Sequence, residues 1–217
     1  MTAPPAKASA KICGLKTPET IAAAVDGGAA YLGFNFYAPS PRSVTPEDAA
    51  RLSAKVPPTV SKVALVVDAD DAFIDRIANA LAPDIIQLHG KETPERVAAV
   101  KARTGRQVMK ALSIATQADI AKARLYEDAA DLLMFDAKPP PGGLPGGNGL
   151  PFDWQLLKDA TWTRPWLLAG GLTPANVAEA IRATGATRVD VSSGVEDSPG
   201  VKSPEKIRQF LAAVSRS

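Results

Sequence analysis

The chain is 217 residues long and carries a net charge of +2, with Lys and Arg scattered rather than bunched. That excludes the basic stripe of a nucleic-acid binder and the charged patch of a membrane-surface protein. The length buries about 70% of the unfolded surface in one sizeable core. With one cysteine, Cys13, no internal disulfide forms. No export signal opens the chain and runs such as Val63 to Val67 are too short to span a bilayer, so the protein is expected in the cytoplasm.

Residues 1–9 read as a short disordered tail and residues 10–217 as a single domain, with no composition shift inside it. From there, short apolar runs alternate with stretches of helical periodicity. The strand at 10–14 precedes a helix at 17–27, and the next pairs fall at 31–36 and 45–55, 61–67 and 71–81, and 84–89 and 93–104. Four more pairs follow, at 107–112 and 116–127, 131–136 and 153–159, 165–169 and 173–184, and 187–192 and 204–214. Thr17-Pro18-Glu19, Thr45-Pro46-Glu47, Thr93-Pro94-Glu95, Thr173-Pro174 and Ser203-Pro204-Glu205 each set a capping hydroxyl before a proline at the first helical position. Eight βα units in series imply a parallel sheet, closed into a (β/α)8 barrel so that every strand is buried, with a doubly wound open sheet as the alternative. In a barrel the chemistry sits where the strands end.

The first strand closes with Lys11-Ile12-Cys13-Gly14, whose alternation puts Lys11 and Cys13 on one side. A lone thiol is either an inert core group or, at a strand end, a general base. After the second strand, Pro39 and Pro41 stiffen a loop that carries Arg42, which either binds a carboxylate through paired hydrogen bonds or is a solvated surface arginine. The fourth strand sends Gln87 and His89 inward; His89 is the only histidine, so it is read as a candidate substrate contact and not as part of a metal site.

The sixth strand, Leu132-Leu133-Met134-Phe135-Asp136, ends in a carboxylate that either caps a turn or serves as a general acid facing Cys13 across the mouth. The turn-rich segment from Ala137 to Pro151 reads as a lid over that acid or as a disordered loop. The last two strands break into Gly170-Gly171-Leu172 and Ser192-Ser193-Gly194, small residues that leave backbone N–H groups open to a phosphate. Lys11 and Asp190 fall on adjacent strands. Each is costly to bury alone, so they are expected to form an ion pair inside the barrel, with a secondary role for Asp190 near the substrate.

These motifs occur together, with Lys11-Ile12-Cys13-Gly14, Ser40-Pro41-Arg42, Gln87-Leu88-His89-Gly90 and Phe135-Asp136-Ala137-Lys138 in the first part. Gly146-Gly147-Asn148-Gly149, Phe152-Asp153-Trp154, Ala169-Gly170-Gly171-Leu172 and Asp190-Val191-Ser192-Ser193-Gly194-Val195-Glu196 follow in order. From about residue 10 onward the chain thereby resembles the phosphoribosylanthranilate isomerases of tryptophan biosynthesis. The resemblance implies a (β/α)8 TIM barrel of the ribulose-phosphate-binding type and an Amadori rearrangement of a phosphorylated small molecule without cofactor or metal, in a monomer or homodimer.

It also assigns roles: Asp136 as the acid that opens the ribose ring, Cys13 as the base at C2, Arg42 on the anthranilate carboxylate, and Gly170, Gly171, Ser193 and Gly194 around the phosphate. His89 and Asp190 join the substrate-binding set. The rivals are another sugar-phosphate isomerase on the same barrel, whose histidine-pathway relative has an aspartate where this chain has Cys13, and a noncatalytic phosphosugar-binding barrel.

Overall fold

In the computed structural model, residues 8–137, 153–158 and 160–217 are described. Eight parallel strands, β1 (Ser9–Cys13), β2 (Tyr31–Asn35), β3 (Ser61–Val66), β4 (Ile85–Leu88), β5 (Gln107–Ile114), β6 (Leu132–Ala137), β7 (Trp166–Leu168) and β8 (Arg188–Val191), follow one another around a closed barrel. Pairing of β8 with β1 closes it, with Lys11 opposite Asp190. The open-sheet alternative is therefore set aside. Ser9, placed in the expected tail, already lies in β1, and residues 1–7 of that tail lie outside the described residues.

Helices α1 (Pro18–Asp26), α2 (Pro46–Ser53), α3 (Asp71–Leu81), α4 (Pro94–Thr104), α5 (Gln117–Ala123), α6 (Gln155–Lys158), α7 (Val177–Thr184) and α8 (Pro204–Ser215) follow the strands in turn. Thr17, Thr45, Thr93 and Ser203 each accept a hydrogen bond from a backbone N–H of the first turn, as their spacing predicts. Thr173-Pro174 does not start a helix. Its turn is tied by Asn176, whose Oδ1 accepts from the Thr173 N–H at 2.7 Å and whose Nδ2 donates to the Gly171 carbonyl at 3.0 Å, and α7 begins only at Val177. The helix expected to reach residue 127 ends at Ala123 and tightens into a 3-10 turn over Arg124–Tyr126. Between β8 and α8 the sequence reading missed a 3-10 turn, Ser193–Val195, and a small hairpin of β9 (Glu196–Ser198) and β10 (Val201–Lys202), elements too short to show a periodic pattern.

Alternation along the strands divides the core in two. Outward residues such as Ile12, Leu32, Phe34, Ala64, Ile86, Leu133 and Phe135 pack under the helices. Inside, Val63, Ile85, Met109, Ala111, Leu132, Met134, Leu167 and Ala169 fill the side of the barrel from β3 to β7. The remaining arc, from β8 through β1 to β2, is lined instead by Asp190, Lys11 and Gly33. The apolar fill thus leaves one polar sector, and it leads up to Cys13.

Candidate active site

Lys11 and Cys13 share the inner face of β1, and the Lys11 ammonium, closed to solvent, contacts Oδ1 of the buried Asp190 at 2.7 Å. The expected interior ion pair is present. Space for it comes from β2, where a Cβ on Gly33 would stand 3.0 Å from Cys13 Sγ and 3.1 Å from Lys11 Nζ. Burial opposes the charge on Lys11, but Asp190 and Cys13 together outweigh it and raise the pKa. Burial also pushes the Cys13 thiol above its ordinary value, with the Lys11 charge pulling back in part.

Asp136 sits at the end of β6 inside the mouth, 8% exposed. Its Oδ1 accepts from the Ala137 N–H at 2.8 Å, and its Oδ2 stands 3.3 Å from His89 Nε2. Gln87 Nε2 in turn lies 2.9 Å from His89 Nδ1. The only histidine thus has a carboxylate partner. Around the barrel, β7 and β8 separate β6 from β1, so acid and thiol stand at the two ends of an arc that the glycine turns occupy.

Those turns fit closely. Gly170 and Gly171 have φ of 84° and 66°, a region that L side chains rarely adopt. A Cβ on Gly170 would lie 2.6 Å from the Ala137 nitrogen and 3.2 Å from Asp136 Oδ1, so the turn after β7 rests directly against the acid. Gly194 is as constrained, since a Cβ there would fall 1.9 Å from the Leu172 carbonyl oxygen. The ends of β7 and β8 are therefore packed together, with Ser193 and Gly194 in the 3-10 turn beside Leu172 and Thr173.

Arg42 is not the solvated arginine that the sequence left open. It is buried, and its Nε and Nη2 donate to Glu196 Oε1 and Oε2 at 2.7 and 2.8 Å. Lys202 contacts the same carboxylate and also donates to the Ser192 carbonyl at 3.1 Å. Burial opposes ionisation of Glu196, but the Arg42 hydrogen bond and the Lys202 charge prevail and pull its pKa down to about 2.

Glu196 and Lys202 were missed as site residues. Glu196 stands in a recognised motif, but its partner lies 154 positions away. A second signal was also available, Lys110 within the apolar run Val108 to Leu112 of β5, which demands a buried counter-charge and finds it in Glu92 at 2.7 Å. The segment expected as a lid lies outside the described residues beyond Ala137.

A groove of about 1180 Å³ opens elsewhere, in the helical shell between α1 and α2, lined by Ile21, Val25, Phe36, Leu52 and Phe73 among others. None of the candidate residues lines it. The converging polar groups are instead at the barrel mouth, and they carry the assignment. Among the described residues, no group of three or more His, Cys, Asp or Glu is arranged to hold a metal ion, and no helix is long and apolar enough to cross a membrane.

Polar side chains gathered at the C-terminal rim of a closed parallel barrel, beside close-packed glycine turns, define the class: a (β/α)8-barrel enzyme. Residues 10–213 match the family model described as N-(5'-phosphoribosyl)anthranilate isomerase. The isomerase of that name from Parvibaculum lavamentivorans is 57% identical over 210 residues, covering 95% of this chain and 98% of the relative, and that from Paracoccus denitrificans is 58% identical over 205 residues, covering 94% and 95%. The crystal structure of phosphoribosylanthranilate isomerase from Thermotoga maritima superposes with a TM-score of 0.86 at 34% identity, covering 97% of this chain and all of that one. A further isomerase structure, in complex with reduced 1-(o-carboxyphenylamino)-1-deoxyribulose 5-phosphate, gives a TM-score of 0.84 at 32% identity with the same coverage. The chain belongs to the N-(5'-phosphoribosyl)anthranilate isomerase family.

Proposed function

We infer that the mouth of this barrel carries out the reaction for which its family is named, the Amadori rearrangement of N-(5'-phosphoribosyl)anthranilate to 1-(2-carboxyphenylamino)-1-deoxyribulose 5-phosphate in tryptophan biosynthesis. The reading rests above all on one arrangement: the glycine turns of β7 and β8 fill the arc between the carboxyl on β6 and the thiol on β1. A sugar phosphate anchored in that arc has an acid at one end of it and a base at the other.

In this reading Asp136 gives a proton to the ribose ring oxygen, and the C1–O bond breaks to leave a Schiff base between C1 and the anthranilate nitrogen. Cys13, as thiolate, removes the proton from C2, and the electron pair moves into the C1–C2 bond to give an enolamine. Tautomerisation returns a proton to C1, releases the one on the C2 oxygen, and yields the ketone. Gly170, Gly171, Ser193 and Gly194 hold the phosphate through main-chain N–H groups. Arg42 holds the anthranilate carboxylate, its plane set by the two bonds to Glu196. His89 and Asp190 meet the substrate from positions where each already has a protein partner, Asp136 and Lys11.

General acid and base help is each worth about 10²–10⁴-fold, and anchoring both charged ends holds the ribose in register with the two groups. The reading needs no cofactor and places the protein in the cytoplasm as a monomer or homodimer. The test follows consumption of phosphoribosylanthranilate by fluorescence. Wild-type protein turns it over, and Cys13→Ser and Asp136→Asn each lower kcat by at least about a hundredfold with the circular dichroism spectrum unchanged. Near-native turnover by either variant reassigns that role.

A further inference from the structure

Lys110 points away from the reaction. Its neighbours Met109 and Ala111 fill the barrel interior, so alternation turns Lys110 outward into the helical shell, where it is 2% exposed. There its ammonium donates to the Leu88 carbonyl at 3.3 Å, the Gly90 carbonyl at 2.8 Å and Glu92 Oε2 at 2.7 Å. Glu92 is equally enclosed, and its carboxylate accepts from the Gly90 N–H at 2.9 Å and from the Asp68 N–H at 2.9 Å. The Tyr126 hydroxyl donates to the Glu92 carbonyl at 3.1 Å and holds the far side of the turn.

The residue these bonds enclose is His89. The carbonyl before it and both the N–H and the carbonyl after it are held by one buried ion pair on the outer face of the sheet, while its ring projects inward to Asp136 at 3.3 Å. Gln87, two residues earlier on the same strand, meets the ring from the other side.

We propose that Lys110 and Glu92 are positioning residues for the isomerisation: from outside the barrel they fix the turn that carries His89, and through His89 they fix the carboxyl of Asp136. The proposal rests on the reading of Asp136 as the acid. Stability alone does not explain the pair, because a buried ion pair replaced as a unit by apolar side chains is often no loss to a fold. What an apolar pair cannot supply is the grip on three backbone atoms beside His89. Displacing a reacting group by about 1 Å costs on the order of a hundredfold in rate, so a loosened turn shows in turnover.

The experiment replaces both members at once, Lys110→Met with Glu92→Leu, so that no lone charge is left buried. The expected result is a folded protein whose kcat falls at least about tenfold while KM stays within about twofold. The same pair introduced into a His89→Leu background changes kcat by less than about twofold, since the link it acts through is already gone. Should the apolar pair fail to fold, Lys110→Met with Glu92→Gln, which keeps an acceptor oxygen without a lone buried charge, enters the same cycle with a smaller loss expected. Unchanged kcat in the folded variant overturns the proposal, as does a loss that adds in full to that of His89→Leu. Asp136→Asn separates the two levels of inference: if it retains turnover, the reading of the acid fails, and if it is inactive while the clasp variant is not impaired, only the clasp proposal fails.

Discussion

Cys13 is 5% exposed, and burial raises the pKa of its thiol, so the proposed role as base needs a neighbouring charge to favour the thiolate. Lys11 supplies that charge from the same strand, and it outweighs the opposing carboxylate of Asp190. Removing Lys11 alone strands Asp190 in the interior, a loss of about 3–5 kcal/mol. We therefore expect Lys11→Met with Asp190→Asn to fold, and its thiol to become harder to ionise. The alkylation rate of Cys13 by iodoacetamide, followed against pH, should shift its rise to higher pH in this variant. An unmoved profile would show that the ammonium does not support the thiolate. The pairing itself was legible in the sequence, because two charges in apolar runs of neighbouring strands have few other partners. The Arg42–Glu196 bond was not, since an arginine in a loop gives no sign of which distant acid it will meet.

At the level of the elements, most of the eight strands and their helices were readable because they are long enough to show their period, the short β7 and α6 were readable from their place in the series, and four capped starts are where proline and hydroxyl spacing puts them. The fifth start fails for a reason tied to the site. Asn176 turns its side chain back to the Gly171 carbonyl and the Thr173 N–H, so residues that would open a helix instead brace the turn after β7. Asn176→Ala deletes both bonds, at about 1 kcal/mol each. It should raise KM for the phosphorylated substrate several-fold with kcat nearly kept, because a looser turn presents its N–H groups less well. Steady-state kinetics decide this, and an unchanged KM would remove the turn from the phosphate site. The β9–β10 hairpin escaped notice for the opposite reason, as two or three residues per strand carry no alternation to read.

Across the whole molecule, Arg42 joins the β2–α2 loop to the β8–α8 hairpin over the end of β1, and Glu196 is the fastener. Its folded pKa of about 2 lies below the ordinary 4.5, so this carboxylate adds stability that is fully present above about pH 4.5 and is lost as pH falls toward 2. Glu196→Gln should flatten the acid limb of stability in that window, as measured by urea unfolding at a series of pH values. The same variant, and Arg42→Ala more strongly, should raise KM while leaving kcat within a few-fold, because the proposed carboxylate grip loosens. A wild-type KM in Arg42→Ala would remove the arginine from substrate binding.

Gly33 adds one more consequence. Replacing glycine with alanine is a routine way to make a protein endure heat, since it narrows the choices open to the unfolded chain. On β2 that route is closed: the added methyl would claim the small volume that sulfur and ammonium now divide, 3.0 Å from Cys13 Sγ and 3.1 Å from Lys11 Nζ, and the crowding would cancel the gain. The room that thiol, ammonium and the backbone of β1 need keeps this strand one methyl short.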